Sequence, residues 1–419
     1  MTSLPTSVNF AEPIPSLPDG TSTINVTSRP TNGSSFTAGS IIQFDLVKRG
    51  FLIPDSLSIR YKATVTSSAT ASEMIATPVF TPFLRLETFI GPQIVDNINQ
   101  FNQTANMLTN INSDIASKFG LQYAYSYGTI GSTTTAIQDL DGKKIAASGE
   151  TYTCSGPFPC MLSACEKLIP LFCMPQIRLQ FTMDSLSNMF AVIGGVTAIT
   201  ISNFEVTYSV IDFGSEVENM VRNMGTFYIK SQSFFNTAYN LASGISGSVT
   251  IPYNQSFQSI KSLYFNFSGT SSNSLNKWGD SYDVTSGSGD YSVTIGGQNY
   301  PQAPLSASLN KAGILQELRR AVGSIYGATN SLSVNSIEFA KQGNDATTSS
   351  EPAKFWVGIC TEKLHSKNLL TGVSSCGTAI NLNINTSTAT AQAHNINLII
   401  NYDALLQIEP VNQQVTIIK

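Results

Sequence analysis

Charge is what this chain has least of. Lys, Arg, Asp and Glu together make up 12% of its 419 residues, about half the ~25% usual in globular proteins. The net charge is -4, and neither end carries a run of Lys or Arg. Phosphate neutralisation supplies most non-specific nucleic-acid affinity, so a genome-coating role and direct sequence-specific nucleic-acid binding are not expected. Histidine is reduced to His365 and His394, and tryptophan to Trp278 and Trp356. Neither histidine has a His, Cys or carboxylate neighbour at ligand spacing, and His394 beside a strand reads as a structural or solvent-facing residue. The HExxH, Walker A and GxSxG signatures are absent. No apolar run reaches the ~18 residues of a membrane-crossing helix, and the first residues lack the basic and apolar regions of a secretory signal. These gaps remove the common routes to catalysis: no catalytic, cofactor-binding or metal-ligating residue is singled out, and no enzyme activity or cofactor is expected.

Cysteine is present six times, as Cys154, Cys160, Cys165, Cys173, Cys360 and Cys376, with no CxxC pair. The spacing of the first four does not fit a zinc knuckle. Reduced core or surface thiols are the expectation, ahead of a disulfide or a metal. The Asn-x-Ser/Thr triplets at Asn25, Asn102, Asn254 and Asn385 arise from composition alone in a chain this rich in Asn, Ser and Thr.

What fills the space left by charge is Ser, Thr, Asn, Gln and Gly, against a normal 42% of hydrophobic residues. Disorder needs low hydrophobicity with high net charge, and neither holds. A surface with little like-charge repulsion favours close packing against neighbours. The length suggests two domains.

Period-two alternation marks many short strands. It is clearest at 57–65, 177–183 and 204–210; other strands fit 41–47, 83–90, 149–155, 226–233, 246–252, 259–268, 291–295, 333–340, 354–361, 378–385 and 395–408. Helical spacing joins Ile98, Phe101, Ala105, Leu108, Ile111 and Ile115, and again Leu315, Leu318, Val322 and Ile325. A third helix begins at Ser215, where Glu218 completes a capping box and Val217, Met220, Val221 and Met224 share a face. Residues 1–40, rich in Pro, Ser, Thr and Gly, read as an extended arm.

One unit occurs twice. FLRLETFIGPQIVDNINQFN, from residue 83, places a strand, an Ile-Gly turn, a second strand and a helix in order. DYSVTIGGQNYPQAPLSASLNKAGILQELRRAV, from residue 290, repeats it, with Ile90-Gly91-Pro92-Gln93 answered by Ile295-Gly296-Gly297-Gln298. Two further matches keep the same order: FLIPDSLSIRYKATV (51–65) with VTIPYNQSFQSIKSLYFNF (249–267), and NFEVTYSVIDF (203–213) with NINLIINYDALLQI (395–408). The copies stay about 200 residues apart throughout, as a duplicated unit with small loop insertions would. The Gly-Gly of the second turn is not followed by GK[ST]; a turn needing positive φ explains it better than a phosphate loop.

With LETFIGPQIVDNINQFN, LIPLFCMPQIRLQFTMDS (168–185) and IGGQNYPQAPL on the page, the chain resembles the double jelly-roll major capsid proteins, the group of adenovirus hexons and of tectivirus-type phage, virophage and polinton-like virus coats. The resemblance covers roughly 41–408. It implies an all-β fold of two tandem eight-stranded jelly-roll sandwiches with a few short helices. The expected domains are an arm at 1–40, a first roll at 41–213, a connecting helix at 214–225, a second roll at 226–410 and a tail at 411–419. It also implies a homotrimer whose six rolls form a pseudo-hexameric capsomer tiling an icosahedral facet of the virion, with neighbouring trimers and penton and minor capsid proteins as partners; whether an internal membrane lies beneath the shell is left open. The loops 269–289 and 341–353 are candidates for the outer surface. The alternative is a two-domain β-sandwich adhesin or receptor-binding protein. A β-sandwich carbohydrate-active enzyme needs convergent acids in an aromatic cleft, which the scarcity of Trp disfavours. A pair of single-roll coat domains would be expected to carry basic arms, and a vertex protein only one roll.

Overall fold

The computed structural model describes residues 17–18, 20–67, 73–76, 78–112, 115–127, 142–145, 150–190, 196–269, 281–322, 334, 339, 354–363 and 369–419. In chain order the first half opens with β1 (Ser22–Ser28), β2 (Ser35–Thr37), β3 (Ile41–Asp45), β4 (Phe51–Leu52), β5 (Ser58–Ser67), β6 (Glu73–Ala76), β7 (Phe83–Ile90) and β8 (Gln93–Asn99). Helices α1 (Phe101–Asn112) and α2 (Ile115–Tyr125) follow, then β9 (Gly142–Ile145), β10 (Glu150–Pro157), β11 (Ile169–Pro170), β12 (Ile177–Met183), α3 (Leu186–Met189) and β13 (Val196–Asp212). The second half comprises α4 (Ser215–Arg222), β14 (Phe227–Leu241), β15 (Gly247–Tyr253), β16 (Ile260–Gly269), β17 (Gly289–Ile295) and β18 (Gln298–Ser306). It ends with α5 (Lys311–Val322), β19 (Val357–Cys360), β20 (Ile380–Thr386), β21 (His394–Glu409) and β22 (Gln414–Ile418).

The sheets reveal the same plan twice. In the second half, one sheet runs β14-β21-β16-β19 and the facing one β15-β20-β17-β18. Counting the eight principal strands in chain order, these are first-eighth-third-sixth and second-seventh-fourth-fifth, the jelly-roll order. In the first half β13 pairs with β1 and β2 on one side and β5 on the other, β5 pairs with β10, and the second sheet runs β3-β12-β7-β8. With β1 and β2 sharing the first position, the order is identical. The all-β, double jelly-roll reading of the sequence therefore holds. β6 and β9 form a separate two-stranded ribbon.

The duplicated turn sits at the same place in both rolls, between the fourth and fifth strands. Ile90 pairs with Gln93 across Gly91-Pro92, and Ile295 with Gln298 across Gly296-Gly297. Gly296 and Gly297 have φ of 57° and 80°, the pair of left-handed residues a type I′ hairpin demands. Gly91 has φ 60° and precedes proline, whose ring fixes negative φ, as a type II′ hairpin requires. In each roll the first helix after this hairpin spans part of the path to the sixth strand.

The core follows from alternation. Ile177, Leu179, Phe181 and Met183 of β12 are buried, while Arg178 points out and its Nε bonds Asp45 Oδ1 at 2.9 Å. Phe181 lies at the centre of a ring cluster with Phe44, Phe83, Phe101, Phe158 and Phe204, at centroid distances from 5.2 to 6.2 Å. In the second roll β16 and β21 are buried along most of their length on both faces. Helix α5 accounts for part of this: Tyr264 Oη donates to Ala321 O at 2.9 Å, and Gly358 lies so close to Leu318 that a Cβ would meet its Cδ1 at 2.7 Å.

Several expectations are corrected. Residues 20–40, read as part of an extended arm, supply β1 and β2; Ser22 to Ser28 pair with Asp212 to Val206. Ile24 and Val26 alternate with polar residues, but the Pro and Gly on both sides hid so short a strand. The tail expected at 411–419 includes β22, which pairs with Leu405–Glu409. Ile98 belongs to β8, and the helical spacing divides into α1 and a separate α2. The cap of α4 is Gly214 at φ 89°, with no side-chain capping bond; Asp212 Oδ1 instead accepts from the Gly214 N–H at 2.9 Å. Val217 and Val221 pack on the core, whereas Met220 and Met224 are exposed. The Ile-Pro landmarks are not equivalent: Pro54 opens a 3-10 turn before β5, whereas Pro252 lies within β15. β15 is an edge strand, where a missing N–H is tolerated. Of the strand expected at 333–340 only Val334 and Phe339 are described, both buried. Residues 270–280 and 341–353 of the two loops expected at the outer surface, and Ile325, lie outside the described residues, whereas 281–285 of the first loop are buried, Asp283 Oδ1 accepting there from the Tyr291 hydroxyl at 2.7 Å.

Candidate functional site

No site residue was singled out from the sequence, and the described residues contain no group of three or more His, Cys, Asp or Glu able to hold a metal ion. Nor is any described helix long and apolar enough to cross a membrane. His394 is fully buried at the start of β21, its ring 6.4 Å from that of Tyr282; His365 and Trp278 are outside the described residues, and Trp356 is buried. The cysteines are free thiols. Cys165 Sγ donates to Met161 O at 3.4 Å and Cys173 Sγ to Pro170 O at 3.3 Å. Burial pushes Cys160 and Cys173 up to about 11 and Cys165 up to about 12, so thiolate chemistry is suppressed there.

The chemistry of this chain lies where the rolls meet. Strand β8 of the first roll lies against β14 of the second, and polar groups are buried between them. Asp96 in β8 is fully buried. Its Oδ2 accepts from the Met161 N–H at 2.8 Å and its Oδ1 from the Ser233 hydroxyl of β14 at 2.5 Å. Ser231 Oγ donates to Met161 O at 2.5 Å, and Asn236 Nδ2 to Thr104 Oγ1 at 3.4 Å. Lys230 Nζ stands 3.4 Å from Glu166 Oε1 of the first roll and 3.6 Å from the buried Asp403 Oδ1 of the second. Asp403 Oδ2 accepts from Ser259 Oγ at 2.7 Å. Lys48 Nζ of the first roll also donates to Gln413 Oε1 of the second at 2.8 Å, in an exposed contact.

Burial holds the Asp96 carboxyl above its ordinary range; the Ser233 and Met161 hydrogen bonds and the charge of Lys419 only partly offset it. Burial raises Tyr402, reinforced by Asp96, and lowers Lys419, which Asp96 opposes. A desolvated carboxylate is expensive unless its lone pairs are filled. Here donors from two separate segments fill them, so a relative shift of the rolls would expose an unmet charge. The arrangement fixes orientation; it holds no nucleophile poised beside a base. Sequence reading missed Asp96, Ser233, Lys230 and Asp403. The available signal was a carboxylate flanked by apolar residues within a strand, Asp96 after Ile94-Val95 in β8 and Asp403 before Ala404-Leu405-Leu406 in β21.

With this geometry in view, comparison with known proteins is informative at the level of fold. No protein-family profile matches the chain, and no curated protein does. Solved structures match over nearly its whole length. The Faustovirus major capsid protein is similar with a TM-score of 0.63 at 10% identity, over 95% of this chain and 92% of that one. The capsid protein in the quasi-atomic model of the PBCV-1 virus capsid gives 0.61 at 11%, over 97% and 99%. The mavirus major capsid protein gives 0.55 at 11%, over 100% and 95%. The chain has the double jelly-roll fold of these viral major capsid proteins.

Proposed function

We propose that the chain is the major structural subunit of a viral capsid shell. One observation carries this reading: two complete jelly rolls of identical strand order are locked side by side, in a fold matched from end to end by capsid subunits. A hexagonal lattice needs a near-six-fold outline, and three copies of a two-roll chain supply one. The chain accordingly assembles as a homotrimer, a pseudo-hexameric capsomer that tiles the facets of an icosahedral virion. Its first roll is drawn from 22–212 and its second from 227–418, with α4 as the connector. Its partners are neighbouring trimers and penton and minor capsid proteins. Its task is structural and not enzymatic, and it reads no nucleic-acid sequence. The low charge of the surface suits this role, because neighbouring subunits approach with little repulsion. Native mass spectrometry of the purified chain tests the proposal. A species of three times the 45.0 kDa chain mass is expected; a monomer across the accessible concentration range would refute it.

A further inference from the structure

One face of the first roll departs from the chain's sparing use of charge. On the outer side of its larger sheet, Arg29 and Arg60 share the Glu205 carboxylate, and Lys62 lies two residues beyond Arg60 on the same face of β5. The register explains how. Arg60 sits opposite Glu205 on one side and Ser155 on the other, and Lys62 is opposite Ser202 and Thr153. Arg60 Nε donates to Glu205 Oε2 at 2.6 Å, and Arg29 Nε to Glu205 Oε1 at 3.2 Å. Burial pushes the Glu205 carboxyl up, but hydrogen bonds and charge from the two arginines outweigh it and hold it below the usual range. Arg60 further donates to Thr27 at 3.4 Å, so most of its five N–H donors are not used in these contacts. Lys62 is exposed and has no carboxylate within ion-pair distance among the described residues.

Arg60 and Lys62 border a cavity of about 420 Å³ between the sheet and helix α2, which is lined also by the arginine-paired Glu205 and by Tyr123, Thr153, Ser155 and Asn203 among others. Tyr123 rises from α2 with 72% of its surface exposed. The rim is shaped by a bulge between Ser202 and Glu205, where Asn203 adopts φ 49° and is exposed. Bulges re-aim side chains, and here the re-aimed amide joins the cavity. The volume falls within the range of small-molecule sites.

We infer that this cavity binds an acidic sugar unit of a glycan. The Tyr123 ring offers a flat apolar surface for the C–H face of the sugar and a hydroxyl for its edge. Asn203, Thr153 and Ser155 supply hydrogen bonds, and Lys62 with the open side of Arg60 takes the carboxylate or sulfate. The net excess of cations on this face, in a chain that is acidic overall, selects an anion over a neutral sugar. The inference concerns the single chain and stands whether or not the chain forms a shell.

The full chain would be titrated by NMR with sialyllactose, a sulfated heparin disaccharide and lactose. Binding of either acidic probe, weakened by salt, with no binding of lactose, is expected; which acid binds identifies carboxylate or sulfate as the anion. Lys62→Glu and Tyr123→Ala alter exposed side chains, so folding can be verified by circular dichroism. Each should weaken the acidic probe by about tenfold or more. No binding at about 10 mM probe, equal binding of lactose, or undiminished binding by both folded variants would overturn the assignment.

Discussion

Phe181 provides a quantitative test of how the first roll is held together. Its side chain is fully buried in β12, and five other rings surround it: Phe83 at 5.2 Å, Phe204 at 5.5 Å, Phe158 at 5.6 Å, Phe44 at 6.1 Å and Phe101 at 6.2 Å. These neighbours come from both sheets, from the loop after β10 and from α1, so one side chain bridges four parts of the roll. Phe181→Ala removes the buried ring and leaves a cavity, costing about 3–5 kcal/mol. The upper end is expected, because edge-to-face pairs add to burial and the surrounding rings are too rigid to collapse. Phe181→Leu keeps most of the volume and should cost about 1.5 kcal/mol or less. Phe235 is the control: it is half-buried and pairs with Phe257 at 5.7 Å, so Phe235→Ala should cost clearly less than Phe181→Ala. Urea unfolding followed by fluorescence measures all three. A loss below about 1 kcal/mol for Phe181→Ala, or a Phe235 effect as large, would refute this picture of the core.

Further outcomes are expected elsewhere. Gly289→Ala would place a Cβ 2.1 Å from the Asn385 carbonyl oxygen and should destabilise by about 1–3 kcal/mol or more. Gly225→Ala meets nothing within 4 Å and should be neutral or slightly stabilising; thermal melting distinguishes the two. Among the described cysteines, Cys376 alone is exposed, and its serine hydrogen bonds hold the thiol below its ordinary range. Brief iodoacetamide treatment with peptide mapping should therefore modify Cys376 well ahead of Cys160, Cys165 and Cys173. Asp96, held above the ordinary carboxylate value of 3.8, keeps its proton longer in the folded state than in the unfolded one. Its contribution to stability is thus present at low pH and is lost as pH rises from that value through the folded one. Urea midpoints measured across this window should show Asp96→Asn gaining relative to the parent as pH rises; a parallel dependence in both would contradict the burial described.

Much of the architecture was legible because alternation and turn chemistry agreed. The strands at 177–183 and 204–210 show one buried face each, and the Ile-Gly turns announced hairpins that fall at equivalent points of both rolls. What was hidden had physical causes. β1 is seven residues between turn-forming segments, and its place is set by the otherwise open edge of β13, a tertiary fact. Pro252 looked like the partner of Pro54 because an edge strand accepts proline as readily as a turn does. The seam was least visible: Asp96 and Ser233 are far apart in sequence, and neither carries a motif. The glycan cavity depends on a bulge at Asn203 and on α2 rising beside β10, which no local pattern specifies.

Under the proposed function, two rolls per chain supply the walls of a pseudo-hexagonal particle. Electron microscopy of the purified oligomer, with class averages viewed down its symmetry axis, tests it most directly. The expected image has six lobes around a three-fold axis, alternating between two kinds. A monomeric particle, or an oligomer of any other symmetry, would contradict the account.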